Sequence, residues 1–268
     1  VGSEGTLAVI TAARLRLIAR PSATVTLALP FPDLERAAAA VPEIFLADLD
    51  PASCEILEEA ALAAVAQTHE LPAALSGAGA LLFLELHGDR EEALLDVALR
   101  CSEVASAHDG GEPLVATDAR EQRRLWAIRK VVAEAVKAKS VYKEADTVVP
   151  RASLADLVRA SREVARRHGL EAISYGHAGD GNLHVNLLRG DLGEREWNER
   201  RDWAENELFD AVLALGGTIT GEHGIGYTQR RLMPRAVDSP TLESMRSIKR
   251  AFDPHGILNP AKIFPDPR

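Results

Sequence analysis

Apolar and polar positions divide the chain into elements before any single residue is weighed. Residues 6–19 alternate with a period of two up to Arg20-Pro21-Ser22, which predicts a strand. "ATVTLALPF" (23–31), rich in β-branched and apolar residues, predicts another. "PDLERAAAAVPEI" changes to helical spacing, with Pro32 and Asp33 near its start. An Ala/Leu-rich helix fits 51–67. "GALLFLELHG" (79–88) reads as a buried strand bounded by glycines, and "DREEALLDVALRCSEVAS" as an amphipathic helix. Strand–helix–strand–helix suits a split βαβ, ferredoxin-like layout.

A long helix follows over roughly 118–139, with Asp118 as N-cap and Leu125, Ile128, Val132 and Ala135 at helical spacing. "TVVP" (147–150) is a strand stub, and "ASLADLVRASREVARRHG" a helix closed by Gly169. Residues 172–177 and 183–188 read as two strands around a turn. A charged helix covers about 193–214, "GGTITGEHGIG" is a strand running into a glycine-rich loop, and "SPTLESMRSIKRAFDP" is a closing helix. Strands and helices alternate irregularly. The fold class is therefore α+β, an antiparallel or mixed sheet covered by helices.

Composition narrows the class. The 268 residues make one large domain or two small ones, with 46% hydrophobic and 26% charged residues, as in globular proteins. Only 4% are aromatic, so the core must be built from Ala, Leu, Val and Ile. A net charge of −9 argues against a nucleic-acid partner. No stretch approaches the roughly 18 apolar residues of a transmembrane segment. Cys54 and Cys101, in helix-like apolar surroundings without a CxxC, read as buried thiols of a reduced, cytoplasmic chain. The opening "VGSEGTLAVIT" reads as the middle of something, which suggests a fragment.

The chemistry concentrates in two glycine-framed motifs. "SYGHAGDGNLHVNLL" (174–188) puts His177 and His184 on either side of a turn of Gly, Asp and Asn. If the flanking strands pair, the two imidazoles can face one another and make half a metal site. An ordinary glycine hairpin with two surface histidines is the plain alternative. "TGEHGIG" adds Glu222 and His223. A carboxylate with two imidazoles is a common catalytic zinc set, and mixed N/O ligands also suit Mn²⁺, Co²⁺ or Fe²⁺. Neighbouring side chains on extended backbone point opposite ways, so Glu222 can bind metal while His223 faces substrate. Arg129 can grip a carboxylate with two parallel hydrogen bonds, or be one of several solvated bases, and Lys143 has the same two readings. Asn186 shares a strand face with His184.

Several motifs in order carry a resemblance over nearly the whole chain. "GSEGTLAVIT" resembles the end of the flavin-binding domain of vanillyl-alcohol-oxidase-type flavoproteins. "GHAGDGNLHVN", "GGTITGEHGIG" and "FDPHGILNPAKIF" resemble the C-terminal domain of their 2-hydroxy-acid branch, which includes D-lactate dehydrogenases, the glycolate oxidase flavoprotein subunit and D-2-hydroxyglutarate dehydrogenase. The resemblance implies that residues 1–20 end an FAD-binding domain. It implies that 21–250 form a substrate and metal domain, a sheet with helices over one face, and that 251–268 form a tail returning to the flavin domain. It further implies His177, His184 and Glu222 as metal ligands, zinc foremost, and His223 as the base. Arg129 and Lys143 would hold substrate carboxylates, helped by Asn186. Gly2, Ser3, Glu4, Gly5, Thr6, Ile10, Asn182 and Asn259 would meet FAD. Two departures from the D-2-hydroxyglutarate members bear on a second, distal carboxylate: Lys143 is set farther from Asp146, and Ala133 replaces a hydroxylated residue one turn after the arginine.

The chemistry so implied is oxidation of a D-2-hydroxy acid to the 2-oxo acid, the hydride going to FAD and the electrons to an acceptor protein or quinone. A homodimer and a peripheral position at a membrane are compatible with it. The fragment alone is expected to bind FAD weakly and not to turn over. A metal-dependent hydrolase and a metal-free module docking an electron-transfer partner are the competing classes. The first lacks an HExxH motif and leaves GSEGT unexplained.

Overall fold

A computed structural model describes residues 2–265; Val1 and the last three residues of the 251–268 tail lie outside the described residues. The elements in order are β1 (Ala23–Phe31), α1 (Leu34–Leu46), β2 (Ser53–Glu58), α2 (Glu59–Ala66), β3 (Ala80–Gly88), α3 (Glu91–Ala107), β4 (Leu114–Ala116), α4 (Ala119–Lys139), β5 (Tyr142–Val148), α5 (Leu154–Arg167), β6 (Glu171–Gly176), β7 (Asn182–Leu188), α6 (Glu194–Ala214), α7 (Met233–Ala236) and α8 (Ser239–Phe252). Seven strands form one sheet in the order β4-β1-β3-β2-β6-β7-β5. Every paired neighbour is antiparallel. The first four strands, in order 4-1-3-2 with α1 and α3 as crossovers, form the expected ferredoxin-like unit. No described helix is long and apolar enough to cross a membrane.

Strand parity explains two cores. On β1 and β3, Leu27, Leu29, Leu82 and Leu84 face α1 and α3, in a core that continues beneath α5 and α6 over β6 and β5. Ala28, Leu81 and Phe83 face α2 and α4. Both faces are thus covered, where helices over one face were expected: the strands bury side chains on both sides and each set needs an apolar cover. Asp118 caps α4 by accepting from the Arg120 and Glu121 N–H groups, and the stripe Leu125, Ile128, Val132 and Val136 seals α4 onto the second face.

Four local expectations are corrected. Residues 8–20 run without secondary structure and are exposed throughout, because no described strand lies alongside to complete a ladder. The 51–67 helix is β2 followed by α2: Ile56 and Leu57 bury on opposite faces, the period of a strand, so Cys54 also sits on a strand. The 147–150 stub is the end of the seven-residue β5. "GGTIT" makes a single bridge, Val148 to Thr218, instead of a strand. Cys54 and Cys101 are buried free thiols, and burial pushes the Cys101 thiol up to about 11.

At the end of β2, Glu58 accepts a hydrogen bond from the Ser174 N–H and lies 3.8 Å from Arg162. Burial pushes its carboxyl up to about 7. The unfolded chain releases that proton near pH 4.3, about its ordinary value. Between those values the folded state binds more protons than the unfolded state. Stability from this group is therefore full below about pH 4.3 and lost as pH rises through 7, by up to about 3 kcal/mol. The urea midpoint is expected to fall from pH 5 to 7.5, and to fall less in Glu58→Gln. Equal slopes in the two proteins would contradict this account.

Candidate metal and substrate site

The site lies on the α4 side of the sheet, where β2, β6, β7 and β5 adjoin. Register places Tyr175 opposite His184 and His184 opposite Asp146, with Asn186 opposite Glu144. These residues share one face. The turn after β6 holds because Gly181 adopts φ +73°, and a Cβ there would lie 2.0 Å from the Val149 carbonyl oxygen. His177 and His184 are not a cross-strand pair, since pairing ends at Tyr175. His177 sits just past it, its ring edge-on to His184 at 5.6 Å.

Glu222 and His223 are delivered by a loop built around one carboxylate. Asp146 Oδ2 accepts the N–H groups of Gly221, Glu222 and His223 at 2.8–2.9 Å and the Thr220 hydroxyl at 2.9 Å. Asn182 Nδ2 donates to Oδ1 at 2.7 Å. Burial alone would raise the Asp146 carboxyl, but the His223 and Glu222 N–H groups outweigh it and hold the group below the ordinary range. A Cβ on Gly221 would lie 2.0 Å from Asn182 Nδ2, so glycine is required there.

Three donor atoms converge. Glu222 Oε1 is 3.3 Å from His177 Nε2 and 3.4 Å from His184 Nε2. Ligand atoms bound tetrahedrally at about 2.1 Å stand about 3.4 Å apart, so the set fits a small divalent ion. Each histidine has a carboxylate behind it. Glu55 Oε1 meets His177 Nδ1 at 2.9 Å, which turns the Nε2 lone pair toward Glu222. This hydrogen bond raises the His177 pKa in spite of burial. Behind His184, Glu144 Oε1 stands 3.4 Å from Nδ1, poorly directed, and that buried nitrogen has no hydrogen-bond partner among the described residues. Burial lowers the His184 pKa and favours the neutral form a ligand needs. Glu144, His184 and His223 form an overlapping donor set through the other His184 nitrogen. The set with Glu222 accounts for more, because it uses His177 and leaves Glu144 to accept the Nδ1 proton.

His223 stacks on His184 at 5.1 Å, half exposed, with Nδ1 3.3 Å from Glu144 Oε1. Arg129 donates through Nε to Glu55 Oε2 at 2.8 Å and lies 5.7 Å from the Tyr175 ring centre. That bond fixes the guanidinium plane and leaves its terminal nitrogens for a carboxylate. Burial would raise the Glu55 carboxyl, but the His177 hydrogen bond and the Arg129 charge hold it below the ordinary range. Asn186 is fully buried and its Oδ1 has no partner among the described residues. A cleft of about 650 Å³ adjoins His177 and Glu55.

The structure thus gathers His177, His184, Glu222, His223, Arg129 and Asn186. It does not gather Lys143, which is one register position off: it points to the α6 face and pairs with Glu205 at 3.0 Å. Lys143 thus lies on the opposite face of the sheet from the residues it was expected to act with. The expected flavin contacts lie elsewhere or are engaged by the protein. Glu4 accepts the Ile225 and Gly226 N–H groups at 2.7 Å, and Asn259 Nδ2 donates to the Glu4 carbonyl. Gly2, Ser3, Gly5 and Thr6 form the turn around Glu4, which Lys249 ties to the tail through the Thr6 and Leu258 carbonyls. Ile10 is 71% exposed, and Asn182 is buried against Asp146. Sequence reasoning missed Glu55, Glu144, Asp146 and Tyr175. The alternation Tyr142, Glu144, Asp146 was the available signal, and a strand begun at Tyr142 would have placed both acids on the face of His184.

The pattern described as "FAD linked oxidases, C-terminal domain" matches residues 20–263. A D-lactate dehydrogenase of Archaeoglobus fulgidus is 35% identical over 98% of this chain and 56% of its own length. A D-lactate dehydrogenase of Anaerostipes hadrus is 32% identical over 98% of this chain and 57% of its own. The glycolate oxidase subunit GlcD of Bacillus subtilis is 31% identical over 98% and 56%. The chain therefore spans a little over half the length of these relatives. Among solved structures, p-cresol methylhydroxylase superposes with a TM-score of 0.70 at 16% identity, over 92% of this chain and 53% of that one, a likeness of fold.

Asp146→Ala would remove the acceptor of the Glu222 and His223 N–H groups and of the Thr220 hydroxyl, while the Gly221 N–H keeps the Asp146 carbonyl. A loss of about 1–3 kcal/mol in stability is expected. Faster amide exchange should be confined to Gly221–His223 and their neighbours. Unchanged exchange in that loop would show that it is held by other means.

Proposed function

This chain belongs to the FAD-linked oxidases as their C-terminal domain, and on that premise we propose that it is the substrate- and metal-binding part of a flavoprotein that oxidises a D-2-hydroxy acid, of the lactate, glycolate or 2-hydroxyglutarate type, to the 2-oxo acid. The convergence of His177 Nε2, His184 Nε2 and Glu222 Oε1, beside a guanidinium with free terminal nitrogens, carries the reading. A 2-hydroxy acid offers a carboxylate and a hydroxyl on adjacent carbons, and the site offers a matching group for each.

Arg129 holds the carboxylate and so fixes the direction of the Cα–H bond. A divalent ion, zinc first and manganese, cobalt or iron after it, supplies Lewis-acid polarisation of the hydroxyl when held by His177, His184 and Glu222. His223 has an exposed imidazole edge and takes the hydroxyl proton, with Glu144 beside its Nδ1. Flavin supplies the hydride acceptor when bound. Asn186 and Tyr175 close the floor of the site against water. The turn of Gly2, Ser3, Glu4, Gly5 and Thr6, tied to the TGEHGIG loop through Glu4, is the part of this chain proposed to meet the flavin domain. Electrons pass on to a protein or quinone acceptor.

About one equivalent of Zn²⁺ or Mn²⁺ per chain is expected after reloading, kept in Lys143→Ala and lost in Glu222→Ala. In the complete flavoprotein, Arg129→Ala should lower kcat/KM for D-lactate by about 10²–10³-fold. Lys143→Ala should stay within about twofold. An ion-free chain together with D-lactate turnover indifferent to Arg129 would remove the proposal.

A further inference from the structure

The register of β5 puts an acid where a base had been expected. Lys143 faces α6, while Glu144 faces α4 and the site. Its Oε1 stands 3.3 Å from His223 and 3.4 Å from His184, and among the described residues only these imidazoles lie within ion-pair distance of it. Asn186 is its cross-strand partner, and Tyr175 shares the same face two strands away. A hydroxy acid held by Arg129 and the His177–His184–Glu222 set can extend its remaining carbons over this face. The other way out is the cleft beside His177. There Asp48, Asp50, Asp180 and Glu55 line the wall against Arg151, itself seated over the Phe45 ring at 4.0 Å. Both routes are acidic on balance.

From this, and resting on the function proposed above, we infer that Glu144 is a specificity-determining residue that excludes a second carboxylate, so that the substrate is a monocarboxylic D-2-hydroxy acid with a neutral side chain. Two like charges a few ångströms apart in a partly buried site repel strongly, and a site can discriminate by building such a clash against the wrong ligand. A short neutral chain escapes the penalty. Glu144 meets the ligand set only at His184 Nδ1, the nitrogen turned away from Glu222, and Arg129 is paired with Glu55 instead.

Calorimetric binding to the Mn²⁺-loaded chain tests this directly, with D-lactate, D-2-hydroxyglutarate and the 5-amide of D-2-hydroxyglutarate as ligands and metal content measured in each sample. In the wild type the 5-amide should bind about tenfold or more tighter than the 5-carboxylate of equal size. In Glu144→Gln, at saturating Mn²⁺, the ratio of amide to acid affinity should fall to about one, whatever common change the variant makes to D-lactate affinity through His184 and His223. Equal affinity for amide and acid in the wild type would overturn the inference and leave the proposed function standing, provided D-lactate binds. Loss of the metal from Glu144→Gln would also overturn it, by making Glu144 a ligand. Failure of the wild type to bind any of the three acids would overturn the inference and the proposed function together.

Discussion

The Asp146 carboxylate is the constraint on which the site depends. One of its oxygens receives three successive backbone N–H groups and a hydroxyl, and the other receives Asn182. A loop rich in glycine has no intrinsic reason to hold one shape, because glycine gives up more conformational freedom on ordering than any other residue. Here the shape is imposed from the sheet. Asp146 belongs to β5, so the loop carrying Glu222 and His223 inherits the rigidity of a strand paired along its whole length with β7. His184 sits directly opposite Asp146 on that partner. The distance from His184 Nε2 to Glu222 is therefore set by one strand pairing and one buried carboxylate. Sites built this way keep their geometry better than sites left to loops alone.

The charge balance follows. Glu55, Glu144, Asp146 and Glu222 bring four carboxylates to one face, against the single guanidinium of Arg129. Asp146 is compensated by N–H groups, and Glu55 by Arg129 and His177. Glu222 and Glu144 are left with imidazoles only. Glu144 is mostly buried and Glu222 half exposed, and a divalent cation among neutral imidazoles would relieve the repulsion between carboxylates gathered on one face. An ion held there would feel the carboxylates behind His177 and His184 at second hand, through the orientation of each ring and the strength of its donor nitrogen.

Much of this was legible in the chain, for reasons that can be named. The long helices declared themselves through apolar spacing and an N-cap such as Asp118, and strands such as 23–31 through composition. The glycine-framed motifs stood out because glycine, histidine and acid rarely crowd together without cause. What failed was short-range and depended on partners. Ser53–Glu58 (SCEILE) is short, mixes apolar and acidic residues and runs into an Ala-rich helix, so periodicity over six residues could not separate strand from helix. Residues 8–20 have strand composition but no neighbouring strand among the described residues. Glu55 became visible only once β2 was a strand, because its contacts to Arg129 and His177 cross 74 and 122 positions of sequence.

Lys143 and Glu144 show why register matters more than proximity in sequence. A shift of one residue along a strand exchanges the two faces of a sheet. Counting from the motif, either residue could have been assigned to the site. Only the pairing of Asp146 with His184 decides between them: two positions back from Asp146 is Glu144, on the same face, and one further is Lys143, against Glu205 and α6. The sign of the charge on this face of the site is thus fixed by hydrogen bonds of the β5–β7 ladder. The electrostatics of this pocket are a property of strand register, and a substitution that slipped β5 by one residue would invert them while leaving every ligand side chain in the sequence intact.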